Sequence, residues 1–161
     1  MTSTPLKLLF LCTHNACRSI LAEAICRQLA GENYIVASAG SNPAGTVFPQ
    51  TLQKLTEHAY NIDDLFSKSW DALIDYQPDI VITVCDQAAG ESCPVWFGKA
   101  VKGHWGLTDA SKVVDPIERD QTFDGLISLL ESRINALLQI LPARLAAAEL
   151  SAEIKRIGAS N

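Results

Sequence analysis

The residues with the strongest chemical signal form one short segment, Cys12-Thr13-His14-Asn15-Ala16-Cys17-Arg18-Ser19. Five residues separate Cys12 from Arg18, at the point where an apolar run gives way to a helical pattern. A short loop that winds into a helix can aim successive backbone N–H groups at one bound anion. Arg18 adds a guanidinium that binds a tetrahedral oxyanion through two hydrogen bonds. The spacing therefore predicts an oxyanion-binding loop over residues 13–19.

Cys12 is the candidate nucleophile of this loop. A thiol attacks only as the thiolate, which both the dipole of a following helix and the charge of Arg18 favour. Ser19 can donate a hydrogen bond to the same sulfur. Asn15 suits the organisation of the loop, because its side chain bonds backbone groups and tolerates left-handed dihedrals. The loop thus predicts thiol chemistry on a bound oxyanion.

Two further cysteines stand at positions that suggest a role in this chemistry. Cys85 follows the most β-branched stretch of the chain, and Cys93 comes eight positions later. The chain has five cysteines, an odd number, and its N-terminus carries no export signal, which favours reduced or reactive thiols over a disulfide framework. We interpret Cys26 as a small buried hydrophobe. No Cys or His spacing is typical of a zinc site, so we predict no metal and no cofactor.

The elements that must position these residues alternate between strands and helices. Such alternation is typical of an α/β fold with a parallel sheet covered on both faces, where ligands bind beyond the carboxyl ends of the strands. Cys12 and Cys85 both follow a strand end, so we expect them at the same edge of the sheet. The patterns predict strands over 6–11, 34–37, 79–84 and 99–104, and helices over 19–30, 50–59, 70–76, 122–141 and 143–157.

Composition limits the class of protein. With 161 residues, 48% of them apolar, the chain is predicted to form a single domain over 1–161 with a C-terminal helical extension at about 143–158. Its net charge of −5 disfavours nucleic acid and anionic lipid as partners. The N-terminal region shows neither a signal peptide nor a spanning segment, so we expect a cytoplasmic protein, and we predict a monomer.

The segment from Leu11 to Ser19 resembles the loop shared by low-molecular-weight protein tyrosine phosphatases and the arsenate reductases related to them. The resemblance runs from about Lys7 to Asp109. It implies a three-layer αβα fold with a central four-stranded parallel sheet, of flavodoxin-like topology. Four further segments are similar to the reductase branch, namely Ser38-Ala39-Gly40, the stretch from Val81 to Asp86, Cys93-Pro94 and His104-Trp105-Gly106.

The reductase branch implies a function in arsenic detoxification, the reduction of arsenate to arsenite by a relay of thiols. Cys12 would attack arsenic, Cys85 would attack the Cys12 sulfur, and Cys93 would open the resulting disulfide. Thiols can supply the two electrons without metal or flavin. Three matching cysteines favour thioredoxin as the reductant, with glutaredoxin and glutathione as the alternative. A phosphotyrosine phosphatase, which needs neither Cys85 nor Cys93, and a non-catalytic oxyanion binder or thiol sensor are the competing functions.

The general acid has two candidates. In the resembling enzymes an Asp followed by Pro protonates the leaving oxygen, and counting from the His-Trp-Gly segment places it at Asp109, which Ala110 follows here. Asp115 precedes Pro116 and is the alternative. We favour Asp109 because its distance from that segment fits the family pattern. Asp109 also suits a purely structural role as the cap of a short turn.

Two other features follow from the resemblance. Asn15, Glu23 and Ser38 match the ligands of a potassium site found in some of these reductases, but Lys68 stands where an acidic residue is expected. An ammonium group there can replace the ion, so we predict no potassium stimulation. Cys17 is either a packing residue or the partner of Cys12 in a protective disulfide, as in the resembling phosphatases.

Overall fold

Four short strands form the sheet of the computed structural model, which describes residues 5–85 and 98–159. They are β1 (Leu6–Cys12), β2 (Tyr34–Gly40), β3 (Ile80–Thr83) and β4 (Val101–His104). All neighbours pair in parallel, in the order β2-β1-β3-β4. β1 and β3 lie in the centre, and the last five residues of β1 and all four of β3 are buried. They are mostly apolar, as is typical of strands covered on both faces. The four-stranded parallel sheet is confirmed.

Helices cover one face of the sheet and a shorter segment covers the other. The helices are α1 (Arg18–Ala30), α2 (Pro49–Glu57), α3 (Pro116–Ile140) and α4 (Ala147–Gly158). Side chains on one face of β1 and β3, such as Phe10 and Ile82, share a buried core with these helices. The opposite face carries Leu9 and Val81, which pack with a 3₁₀ turn at Trp70–Leu73. This arrangement confirms the three-layer αβα fold.

Some element boundaries differ from the predicted ones. The helix predicted over 70–76 is a four-residue 3₁₀ turn at Trp70–Leu73. α3 begins at Pro116, earlier than the predicted residue 122, because Asp115 caps it: the Asp115 carboxylate accepts a hydrogen bond from the Glu118 amide at 2.8 Å. Proline at the first helical position fits that start. β2 runs on to Gly40, since Gly40 pairs with Cys12.

By length and composition alone, the helical stretch Pro116–Ala143 could cross a membrane. Its apolar residues are used inside the fold, however. Phe123, Ile127, Leu130 and Ile134 are fully buried, and they belong to the same core as α1. A core helix passes the same composition test as a spanning helix, so this stretch is explained by packing.

Helix α4 packs on β4 and fixes the chain that follows the strand. A Cβ atom at Gly103 would lie 2.3 Å from the Ile154 side chain, so glycine permits the close approach. The indole of Trp105 donates a hydrogen bond to the Ile154 carbonyl at 2.9 Å. Beyond β4, the Trp105 amide bonds to Thr83 and the Leu107 amide to Val84, at 2.7 and 3.1 Å. The chain leading to Asp109 is thereby held beside the end of β3.

Candidate active site

The segment from Cys12 to Arg18 wraps around the sulfur of Cys12. The Asn15 amide donates a hydrogen bond to this sulfur at 3.2 Å, and the Ser19 hydroxyl lies 2.9 Å from it. Arg18 is the first residue of α1, so the helix dipole is directed at the same place. Cys12 itself is buried. The loop therefore places the Cys12 sulfur among hydrogen-bond donors at the N-terminus of α1.

Asn15 organises this loop from the inside. Its backbone has a φ of 47°, in the left-handed region that Asn tolerates. The side-chain nitrogen of Asn15, Nδ2, donates to the hydroxyls of Ser19 at 2.8 Å and Ser38 at 3.0 Å. Its side-chain oxygen accepts a hydrogen bond from the backbone amide of Lys68 at 2.9 Å. Asn15 is fully buried. One side chain thus ties the loop to α1, to β2 and to the segment before the Trp70 turn.

Backbone donors outside the loop orient its peptide groups. The carbonyls of Thr13, His14 and Ala16 each accept a hydrogen bond at 2.9 Å, from the amides of residues 42, 44 and 48 respectively. In a planar trans peptide the N–H points opposite to the C=O. Since these three carbonyls point outward, the amides that follow them, at residues 14, 15 and 17, point into the loop. This is the arrangement that an oxyanion needs.

A glycine makes this bracing possible. Gly40 ends β2 directly beside the loop, and a Cβ atom there would lie 2.4 Å from the Thr13 carbonyl oxygen. Backbone cannot yield at such a distance, so only glycine fits. The segment Ser38-Ala39-Gly40 therefore supports the loop from one side.

Arg18 and Asp109 meet across the mouth of the loop. The guanidinium of Arg18 lies 3.4 Å from the Asp109 carboxylate and 3.4 Å from the Leu107 carbonyl. Both side chains are largely but not fully buried, with 14% and 15% of their surface exposed. The second candidate acid, Asp115, instead caps α3 and is exposed. Of the two carboxylates, the structure brings Asp109 into contact with the loop.

Cys85 lies against the same loop. Its sulfur is 3.6 Å from the hydroxyl oxygen of Thr13, the residue that follows Cys12. Cys85 and Thr13 are both buried. The amide of Val84, next to Cys85, bonds to Leu11 at 2.8 Å, which holds the end of β3 beside the end of β1. The expectation that Cys12 and Cys85 share one edge of the sheet is therefore confirmed, whereas Cys93 lies outside the described residues.

A comparison with protein families matches this geometry. A family model described as low molecular weight phosphotyrosine protein phosphatase matches residues 7–152. The chain belongs to the low molecular weight phosphotyrosine protein phosphatase family. Curated proteins similar to this chain include several arsenate reductases. The chain is 38% identical over 100 residues to an arsenate reductase of Staphylococcus xylosus, covering 62% of this chain and 75% of that protein.

Further relatives agree. An arsenate reductase of Bacillus licheniformis is 33% identical over 114 residues, which covers 71% of this chain and 81% of that protein. Among solved structures, a thioredoxin-dependent arsenate reductase of Corynebacterium glutamicum is 31% identical with a TM-score of 0.69. That match covers 90% of this chain and 66% of the solved one. The Vibrio vulnificus protein Wzb, 18% identical with a TM-score of 0.67, shares the fold.

Apart from Cys12 and Cys85, the described residues of this member of the phosphatase family include two free cysteines, Cys17 and Cys26. Burial raises the pKa of Cys17 to about 12, partly offset by a hydrogen bond with Thr51. Burial alone raises the pKa of Cys26 to about 12 as well. Both remain thiols at neutral pH, and a thiol is a poor nucleophile. The packing interpretation of Cys26 fits its complete burial, while a protective role for Cys17 stays a prediction.

Glu23, Ser38 and Lys68 form a buried group below the loop. The Ser38 hydroxyl donates to the Glu23 carboxylate at 2.5 Å, and the Lys68 ammonium lies 3.8 Å from the same oxygen. Arg27 pairs with the other carboxylate oxygen. Burial lowers the pKa of Lys68, which Arg27 lowers further and Glu23 counteracts. Two protein cations already face this carboxylate, so the residues do not fit a potassium ion.

We therefore predict that potassium does not stimulate this protein. Activity measured in potassium chloride is expected to equal activity in sodium chloride at the same ionic strength, because Lys68 supplies the charge that the ion would bring. A clear rise in activity on replacing sodium by potassium would contradict this assignment.

Among residues 5–85 and 98–159, no group of three or more His, Cys, Asp or Glu side chains is arranged to hold a metal ion. The absence of a cofactor stays a prediction.

The two candidate acids give a second prediction. Asp109→Asn is expected to lower the catalytic rate about 10²- to 10⁴-fold, because an amide cannot supply the proton. Asp115→Asn is the matched control, since Asn also caps helices well and activity should stay at the wild-type level. Steady-state rates of both variants, with thermal unfolding curves, make the comparison. A larger loss for Asp115→Asn would make Asp115 the acid.

Sequence reasoning missed two features of the site. Thr13 was predicted only as a loop residue, yet its hydroxyl is beside the Cys85 sulfur. Ser111 carries no predicted role in the site, yet it bonds to Asp109 through both its amide and its hydroxyl. The Asp-x-Ser spacing is a local signal for the second contact, since Asp side chains commonly accept from the amide two residues on. The first contact had no local signal.

Proposed function

We propose that this chain is an arsenate reductase that passes electrons through Cys12, Cys85 and Cys93. The proposal rests above all on the 3.6 Å approach of the Cys85 sulfur to Thr13, inside the loop that holds Cys12. A phosphatase has no use for a second thiol at that place. The similarity to arsenate reductases over 100 residues supports the same function.

The first step is attack of the Cys12 thiolate on arsenic. The loop amides and Arg18 hold the arsenate oxygens, and an As–O bond breaks as the As–S bond forms. Asp109 gives its proton to the departing oxygen, which leaves as water. Cys12 then carries arsenic in its oxidised, pentavalent state.

The second step reduces arsenic. The Cys85 sulfur attacks the Cys12 sulfur, an S–S bond forms, and the S–As electron pair stays on arsenic. Arsenic thereby gains two electrons and leaves as arsenite, while the two thiols are oxidised to a Cys12–Cys85 disulfide. The nearby Thr13 hydroxyl can donate a hydrogen bond to the Cys85 sulfur, which stabilises the attacking thiolate.

The third step regenerates the site. Cys93 attacks the Cys85 sulfur, releases Cys12 as a thiol and leaves a Cys85–Cys93 disulfide, which an external dithiol reduces. We propose thioredoxin as this dithiol, with glutaredoxin and glutathione as the alternative. The net reaction is arsenate plus dithiol to arsenite, disulfide and water. We also propose that the protein acts as a cytoplasmic monomer.

One coupled assay tests the class and the reductant together. NADPH consumption is followed with arsenate, using thioredoxin and its reductase in one arm and glutaredoxin with glutathione in the other. We expect turnover in the thioredoxin arm. Hydrolysis of p-nitrophenyl phosphate without any NADPH consumption would instead make the protein a phosphatase, the function that the family description favours. Oxyanion binding with neither activity would make it a binder.

A further inference from the structure

The two oxygens of the Asp109 carboxylate have different neighbours. Oδ1 accepts hydrogen bonds from the Ser111 amide at 3.0 Å and from the Ser111 hydroxyl at 2.6 Å. Oδ2 faces the Arg18 guanidinium at 3.4 Å. One oxygen is therefore held by the protein's own chain, and the other is directed at the oxyanion loop.

The turn that carries Ser111 is itself fixed. Residues Ala110–Lys112 form a 3₁₀ turn with Asp109 as its N-cap, and the Ala110 side chain is fully buried. The amide of Lys112 bonds back to the Asp109 carbonyl at 3.2 Å. The Ser111 donors thus cannot follow Asp109 if its side chain rotates, so a rotated carboxylate loses both hydrogen bonds.

This asymmetry decides which oxygen can carry a proton. An oxygen that accepts an N–H and an O–H hydrogen bond has its lone pairs engaged, so a proton on the carboxyl group belongs on the other oxygen. For Asp109 that oxygen is Oδ2, which among the described residues accepts one hydrogen bond, from Arg18, and so keeps a lone pair for a proton. Oδ2 lies at the site where Arg18 would hold the substrate.

We propose that Ser111 is a positioning residue that aims Oδ2 of Asp109 at the leaving oxygen of the bound oxyanion. The inference rests on the proposed function, because it takes Asp109 as the proton donor. Ser111 does not touch the substrate in this scheme. Its effect reaches the reaction only through the orientation of the Asp109 carboxyl group. The proposal can therefore be tested by measuring whether the effect of replacing Ser111 depends on the presence of Asp109.

The test compares Ser111→Ala, Ser111→Thr and Asp109→Asn in the full chain with the thioredoxin-coupled assay. Loss of a hydrogen bond to a carboxyl group corresponds to roughly a tenfold change, so Ser111→Ala is expected to lower kcat about tenfold while KM for arsenate stays constant. Ser111→Thr keeps a hydroxyl and is expected to restore kcat. In the Asp109→Asn background, Ser111→Ala is expected to cause no further loss.

The matched control is Ser151→Ala. Ser151 lies on α4, and the variant removes a hydroxyl that donates to the Lys102 carbonyl at 3.2 Å. Its kcat should equal that of the wild type. Full kcat in Ser111→Ala, or an equal tenfold loss in the Asp109→Asn background, overturns the inference and leaves Ser111 with a structural role in the turn only. An absence of arsenate turnover in the wild type would instead overturn the proposed function.

Discussion

Replacing Cys12 by Ser is expected to reduce arsenate turnover by about 10⁴-fold or more, while the affinity for oxyanions persists. A serine hydroxyl stays protonated at neutral pH, and the loop offers the Cys12 position hydrogen-bond donors, from Asn15 and Ser19, rather than a general base. The amides of the loop and Arg18 are unchanged, so the cradle for the anion survives. Coupled kinetics measure the loss, and calorimetric titration with phosphate or arsenate measures the affinity.

Cys26→Ala provides the control for this experiment. Cys26 is a buried thiol in α1, with a pKa raised by burial to about 12, and it lies outside the loop. Activity should remain at the wild-type level, with stability lowered by about 1 kcal/mol for the lost sulfur contacts. If Cys12→Ser kept its activity, the nucleophile would lie elsewhere. If it lost oxyanion affinity as well, the loop would depend on the sulfur for its shape.

The unit formed by β1, the loop and α1 could be predicted from sequence because its signals are local. A short apolar run, a Cys and an Arg at fixed spacing, and a helical pattern all fall within residues 6–30. The parallel sheet also followed, since strands that alternate with helices leave few other topologies. The resemblance to the reductase branch also predicts Lys68 close to Glu23, and the structure places the two 3.8 Å apart. No local pattern of residues predicts this contact.

Other parts of the site depend on contacts between distant positions. Arg18 and Asp109 are 91 residues apart, and Thr13 and Cys85 are 72 apart. No local pattern says which oxygen of Asp109 faces Arg18, because the fold alone brings them together. The start of α3 shows the opposite case. Asp115 and Pro116 form a standard helix start, although an Asp-Pro pair also fits the acid motif of the resembling enzymes.

Replacing Cys85 by Ser is expected to stop arsenite release altogether. Cys12 can still attack arsenic. However, no second thiol then lies against Thr13 to attack the Cys12 sulfur and break the S–As bond, so arsenic is not reduced. Arsenite measured after rapid mixing of reduced protein with arsenate should stay at background. Hydrolysis of p-nitrophenyl phosphate, which needs only the loop and a proton donor, should persist to whatever extent the wild type shows it.

Cys93→Ser is the matched comparison, because it removes a thiol from the proposed third step and not from the second. A single arsenite should leave each protein molecule, and mass spectrometry should find Cys12 joined to Cys85. The contrast between these variants separates the reduction of arsenic from the regeneration of Cys12. If Cys85→Ser releases no arsenite and Cys93→Ser releases one arsenite per molecule, Cys85 must act directly on the Cys12 adduct. Sustained turnover by Cys85→Ser with thioredoxin would mean that the external dithiol attacks the adduct itself, and the buried thiol beside Thr13 would then have no part in electron transfer.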